Sequence, residues 1–188
     1  MQYAEFQILT TPRLVLRRLR ETDTEDFFQC LGSSEAVTRH MLWVPHRDIS
    51  ESAASIQKVL KRYSGGRCYR WGIALGQEDT LIGIIELLAF DEEANTCSFA
   101  YMLGQDFWGK GYGTEAVTAA LDFAFTHMGI QAVIADHFVE NPSSGAVMRK
   151  AGMRYVRTIP QKYEKNGIRH DAAQYRITKE EWEQTARR

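Results

Sequence analysis

Apolar and polar positions along this chain change rhythm about a dozen times, and each change marks an element. Leu14 to Leu19 reads as a strand. Thr22-x-x-Glu25 has the form of a capping box and opens a helix through Phe27, Phe28 and Leu31. Asp48-x-x-Glu51 starts another, with Ile56, Val59, Leu60 and Tyr63 at helical spacing and Gly65-Gly66 at its end. Trp71 to Leu75 and Leu81 to Leu88 read as strands joined by the polar turn Gly76 to Thr80, and Asn95 to Leu103 as the next strand. Val117, Leu121, Ala124, Phe125 and Met128 share one helix face. Ala132 to Val139 is a buried-type strand, and Asn141-Pro142 supplies the N-cap and first turn of a helix that Gly152 closes. Tyr155 to Ile177 predicts a long hairpin turning at Asn166-Gly167, and Thr178-x-x-Glu181 caps a final helix.

Many strands with a few helices between them predict a mixed sheet covered by helices, an α+β (α/β layered) domain. No linker, repeat or low-complexity segment interrupts the chain, so residues 1–188 are expected to form one domain with a sizeable core. Trp43, Trp71 and Tyr101 are assigned to that core. The apolar fraction of 44% is ordinary, and no apolar run approaches the length of a membrane span. The N-terminus lacks a basic segment followed by an apolar stretch and a cleavage site, so a cytoplasmic location is expected. Cys30, Cys68 and Cys97 lie far apart, as suits reduced thiols. A net charge of -1 gives no electrostatic case for nucleic acid or an anionic membrane as partner. Arg13, Arg17, Arg18 and Arg20 read as a solvated face. None of the five histidines has metal-ligand spacing with a cysteine, so no metal is expected.

The most specific chemistry lies in Gly104-Gln105-Asp106-Phe107-Trp108-Gly109-Lys110-Gly111-Tyr112-Gly113-Thr114, where a strand hands over to a helix. Glycines let the backbone bend and bring its N–H groups against a ligand. The helix N-terminus adds unpaired N–H groups and a positive dipole end. Together they predict a cradle for phosphate or pyrophosphate. The stretch is not a P-loop, because Gly111 stands where the Mg²⁺-binding hydroxyl belongs. Nor is it the dinucleotide fingerprint, because the glycines run G-x-G-x-G.

Trp108-Gly109-Lys110-Gly111-Tyr112-Gly113 resembles the acyl-CoA loop of the GNAT acetyltransferases, [QR]-x-x-G-x-[GA], with Trp108 in place of the usual Gln or Arg. Phe107 to Ala116 resembles the branch typified by ribosomal-protein-alanine and -serine N-acetyltransferases. Asn141-Pro142-Ser143-Ser144 with Val147, Lys150, Ala151 and Gly152 is similar to a second block of that branch. Leu9 to Arg17 is similar to its first strand. The resemblance covers nearly the whole chain. It implies a GNAT fold whose strands splay beside the glycine loop, acetyl-CoA as cosubstrate, and acyl transfer to an amine.

For individual residues the resemblance implies the following roles. Backbone N–H groups near Met102 and Leu103 hold the thioester carbonyl. Gly109, Lys110, Gly111, Tyr112, Gly113 and Thr114 hold the pyrophosphate mainly through main-chain groups, flanked by Trp108. Lys110 adds charge or is simply solvated, and Lys150 meets a cofactor phosphate or lies on helix surface. Asn141 caps its helix and binds the pantetheine amides. Ser144 protonates the leaving thiolate, or only supplements the cap; many family members use a Tyr where this chain has Met148. Residues 37–63 correspond to the segment that shapes the acceptor site.

The general base is open. Ser98 occupies the position where the branch often carries a carboxylate. Glu86 interrupts the apolar run Leu81 to Leu88 and is the candidate base, against a structural reading in which it faces solvent or pairs with an arginine. Glu140, His137 and an ordered water are alternatives, as is loss of the proton to solvent. The acceptor expected from the resemblance is a protein N-terminal α-amine, with polyamines, aminoglycosides and other small amines as alternatives. A nucleotide-binding protein and a non-catalytic acyl-CoA-binding module are the competing classes. A monomer or a homodimer fits equally.

Overall fold

The computed structural model of the chain describes residues 2–186. The short strand β1 (Leu9–Thr10) turns into β2 (Leu14–Arg17). Three helical pieces follow, α1 (Thr24–Phe27), α2 (Glu35–Thr38) and α3 (Ile49–Tyr63). Strands β3 (Tyr69–Leu75), β4 (Leu81–Asp91) and β5 (Thr96–Leu103) form a meander. Then come α4 (Tyr112–Thr126), β6 (Ala132–Phe138), α5 (Pro142–Lys150), the hairpin β7 (Arg154–Lys165) and β8 (Ile168–Thr178), and α6 (Lys179–Ala186). The sheet order is β1-β2-β3-β4-β5-β6-β8-β7, antiparallel except for β5 with β6. This is the expected α+β layering.

Both faces of the sheet are covered, which explains why β4 reads as one apolar run. Ile82, Ile85 and Leu87 pack with Val117, Leu121 and Phe123 of α4, whereas Leu81 and Ile84 pack with Phe27, Ile56, Val59 and Tyr63 on the α1–α3 side. Asn166 (φ 52°) and Gly167 (φ 75°) make the hairpin turn, and Thr178 with Glu181 forms the expected reciprocal cap. Among the described residues no helix is long and apolar enough to cross a membrane.

Two local readings change. The first helix is not capped by Thr22. Asp23 is buried between both Nη atoms of Arg17 (2.9 Å each), and its Oδ2 accepts the Arg20 N–H at 2.7 Å, so the cap moves inward. That helix then widens through Phe28 to Gly32, where Ser33 N–H reaches back to the Phe28 carbonyl at 2.9 Å. Arg17 itself is buried rather than solvated, held by Asp23 and Asp79.

Candidate active site

Parallel pairing of β5 with β6 stops at Ser98 opposite Ile134. Beyond that point the strands part, and the gap runs between the end of β5 and Asp136, His137 and Phe138. Gly104 N–H donates to the Ile82 carbonyl at 2.9 Å, and the register pairs Met102 with Ile84 and Leu103 with Gly83. Alternation of the antiparallel ladder therefore turns the Met102 N–H toward β4 and leaves those of Tyr101 and Leu103 facing the gap. Of the two expected carbonyl-binding groups, Leu103 has the open orientation.

The glycine loop sits at the head of this gap. Gly109 (φ 73°) and Gly111 (φ 84°) are left-handed, and Gly111 is the N-cap of α4. Among the described residues no protein acceptor takes the N–H groups of 109 to 114. This is an anion cradle. Gly113 differs from its neighbours. It is buried, and a Cβ there would lie 3.3 Å from Leu103 Cδ1 and 3.4 Å from Tyr101 Cε2 and Val147 Cγ2, so its role is close packing of α4.

Arg13 holds the loop from outside. Its Nη1 donates to the Lys110 carbonyl at 2.9 Å, its Nε to Glu115 Oε2 at 2.7 Å, and its guanidinium lies 4.4 Å from the Tyr112 ring centroid. Turning the Lys110 carbonyl toward Arg13 keeps an acceptor out of the cradle. Trp108 closes the loop from the strand side, its indole N–H donating to the Leu103 carbonyl at 2.8 Å. Lys110 is exposed, with Nζ 5.7 Å from the Phe107 ring centroid. Lys150 is exposed at the C-terminal end of α5 and does not line the gap.

Across the gap, α5 begins with Asn141 as N-cap and Pro142 in its first turn. Asn141 Oδ1 accepts the Ser144 N–H at 3.4 Å, leaving the amide NH₂ free to face the cavity. The Tyr101 hydroxyl donates to Ser144 Oγ at 3.3 Å. Burial pushes the Tyr101 phenol above its ordinary value, and the Ser144 contact pulls it partly back. Tyr101 thus lines the candidate site, whereas its aromatic character alone assigns it to the core. The signal in the sequence is its position two residues before Leu103 on the strand that enters the loop.

A cavity of about 620 Å³ continues from Tyr101, Asn141, Ser144 and Met148 to the α1–α3 side of the sheet. There its walls include His40 to Val44, the heart of the expected acceptor segment, together with Phe27, Phe138 and Tyr163. The hairpin contributes from far along the chain. Lys165 Nζ donates to the carbonyls of Thr38 (2.5 Å), Met41 (2.8 Å) and Trp43 (3.2 Å), and burial lowers its pKa.

Glu86 lies on the cavity floor, opposite Arg70 on β3 and Ala100 on β5. It is 6% exposed, and both oxygens are engaged: Oε1 by Arg62 at 2.6 Å and Oε2 by Arg70 Nε at 2.7 Å. Glu140 lies outside the cavity lining, 3.1 Å from His170 Nδ1. Buried His137 has Nδ1 2.7 Å from the Phe138 carbonyl, which makes Nδ1 the protonated nitrogen, while Nε2 has no partner among the described residues and sits over Gly145. Among the described residues no cluster of side chains has the makings of a metal site.

Comparison with known proteins agrees with this geometry. The acetyltransferase (GNAT) domain family matches residues 13–154. The chain is 28% identical over 174 residues to the uncharacterized N-acetyltransferase YoaA of Bacillus subtilis, covering 93% of this chain and 98% of that protein. It is 28% identical over 152 residues to [ribosomal protein uS5]-alanine N-acetyltransferase of Escherichia coli, covering 77% and 76%. The structure of a putative ribosomal-protein-serine acetyltransferase from Vibrio cholerae superimposes with a TM-score of 0.81 at 24% identity, covering 95% and 99%. A splayed sheet with a main-chain anion cradle at its gap defines an acyl-CoA-dependent transferase. The chain belongs to the GNAT family and is an acetyl-CoA-dependent N-acetyltransferase.

Proposed function

We propose that this enzyme moves an acetyl group to a primary amine by direct attack, with the cofactor entering through the β5–β6 gap and the amine from the α1–α3 side. The observation that carries this reading is the continuity of one cavity from Tyr101, Met102 and Asn141 at the β5–β6 gap, past Ser144, to the acceptor segment. The N–H groups of 109 to 114 hold the pyrophosphate, and the Asn141 amide aligns the pantetheine arm. The Leu103 N–H polarises the thioester carbonyl. The amine nitrogen forms its bond to the carbonyl carbon, the carbon–sulfur bond breaks, and Ser144 Oγ donates a proton to the departing thiolate and regains one from solvent by way of the Tyr101 hydroxyl.

The ammonium proton passes to solvent in this reading, because both Glu86 oxygens are already engaged by guanidinium groups. For Glu86 to act as base, a guanidinium must first leave it. Similarity to the uS5-alanine enzyme supports a protein N-terminal α-amine as acceptor; a cavity of about 620 Å³ has room for a small amine or a single N-terminal residue. Calorimetric titration with acetyl-CoA, followed by thiol release against a panel of amines, tests the reading. Failure to bind acetyl-CoA overturns it.

A further inference from the structure

We propose that the acceptor is a primary amine with an apolar, planar or branched group next to the nitrogen and no second positive charge. This rests on the acetyl-transfer reading above. It concerns how the acceptor half of the cavity is charged and walled.

The two buried carboxylates on the wall are already matched. Glu86 is held by Arg62 and Arg70, and Asp136 by Lys162 and the Tyr163 hydroxyl. Glu51 is exposed, and its Oε2 accepts the Arg47 N–H at 3.1 Å. Glu51 has only that backbone N–H as a partner among the described residues, so the two buried carboxylates are ion-paired and the exposed one is not. A polyamine would bring two or more ammonium groups into a cavity whose buried carboxylates are already ion-paired among the described residues and whose one unpaired carboxylate, Glu51, is exposed to water. An uncompensated buried charge is strongly disfavoured.

Most of the remaining acceptor wall is aliphatic or aromatic, with His40 and Ser55 as polar members. Phe138 and Tyr163 stack with centroids 4.8 Å apart, Trp43 and His46 lie 5.1 Å apart, and Phe27 stacks on His46 at 5.9 Å. The stack covers one face of Phe138 and one of Tyr163, and Lys162 Nζ already lies 5.4 Å from the Tyr163 centroid, so this pair offers little free face to a second cation. Leu42 and Val44, 62% and 59% exposed, extend the apolar surface to the mouth. Such surroundings favour the neutral amine over the ammonium ion. The pocket itself therefore promotes the deprotonation that attack requires, without a free carboxylate base.

The chemistry has two sources, a free small amine or the first residue of a peptide, and the assay separates them. Thiol release from acetyl-CoA is followed with phenethylamine and isoamylamine, with short peptides beginning in Phe or Leu, with peptides beginning in Ala or Ser, and with spermidine. The expected result is kcat/KM at least about tenfold higher for the apolar amines, free or peptide-borne, than for spermidine or the Ala and Ser peptides. Trp43→Ala should raise KM for the apolar amine severalfold with calorimetric acetyl-CoA affinity unchanged. Arg70→Leu, which frees one Glu86 oxygen, should raise kcat/KM for a diamine. Preference for spermidine in the parent enzyme overturns the proposal, as does preference for the Ala and Ser peptides. Acetyl-CoA binding with no turnover of any apolar amine overturns the acceptor class alone. Absence of acetyl-CoA binding overturns the underlying transfer reading.

Discussion

Tyr101 and Ser144 meet across the splayed gap with their hydroxyl oxygens 3.3 Å apart, joining the last strand before the glycine loop to the first turn of α5. The contact fixes where the Ser144 hydroxyl lies. In the proposed transfer it would also give the serine a proton donor behind it after its own proton had gone to sulfur.

If Ser144 is the proton donor, Ser144→Ala should lower kcat by at least about tenfold, equivalent to roughly 1.4 kcal/mol of barrier, with acetyl-CoA affinity nearly unchanged. Tyr101→Phe should lower kcat less, because water can replace a second proton donor more easily than the first. A Ser144→Ala enzyme at full rate would leave the serine as part of the α5 cap only.

Gly111→Val is expected to abolish acetyl-CoA binding in calorimetry. The left-handed backbone at φ 84° disfavours a β-branched residue by about 1–2 kcal/mol, and a Cβ there would lie 3.2 Å from Arg13 Nη2. Gly113→Val is a poorer probe, since its side chain would press into Leu103, Tyr101 and Val147 and unsettle the packing of α4 as well. Unaltered affinity in Gly111→Val would remove the loop from the cofactor site.

Glu86→Gln should lower thermal stability by about 1–3 kcal/mol, because it leaves Arg62 and Arg70 short of their counter-charge; their partial exposure keeps the effect below that of a fully buried pair. With deprotonation left to solvent, the acidic limb of the pH–kcat/KM profile keeps its position. A variant that loses that limb would establish Glu86 as the base.

What could be read in the sequence divides along range of contact. The glycine loop, the Asn141 cap and the Asn166-Gly167 turn are decided within a few residues, and all formed as expected. Glu86 was visible as an anomaly in an apolar run, but its partners lie 24 and 16 residues back on α3 and β3. Tyr101 needed the placement of α5, 43 residues on, before its hydroxyl had a target. The acceptor wall was least legible. Part of the expected acceptor segment 37–63 does line the cavity, but Tyr163 and Lys165 reach it from more than a hundred residues away, and no periodicity encodes that crossing.

Lys165 is expected to set the shape of that wall. Lys165→Met removes an ammonium that satisfies three carbonyls, so it should raise the acceptor KM about fivefold or more while acetyl-CoA affinity holds. Lys165→Arg places its donors in a planar fork that three carbonyls in different directions do not match, so rescue should be partial. Equal effects on amine and acetyl-CoA would mean a general loss of structure instead.

The clamp between Arg13 and Glu115 should make the glycine loop sensitive to acid. Burial pushes the Glu115 carboxyl up, but hydrogen bonds from Thr11 and Arg13 outweigh it and hold its pKa below the ordinary 4.5. A carboxyl whose folded pKa is depressed contributes stability that is fully present above its unfolded value and lost as pH falls through the folded one. Melting temperature should therefore decline as pH drops below about 4.5, and Glu115→Gln should flatten part of that decline while lowering stability at pH 7. Arg13→Ala should act on the same unit from the other side. It frees the Lys110 carbonyl, which is now held outward at 2.9 Å, and so weakens acetyl-CoA binding although Arg13 need not touch the cofactor. If Arg13→Ala binds acetyl-CoA like the parent while Glu115→Gln still alters the acid response, the pair serves stability alone and the cradle is shaped by its glycines.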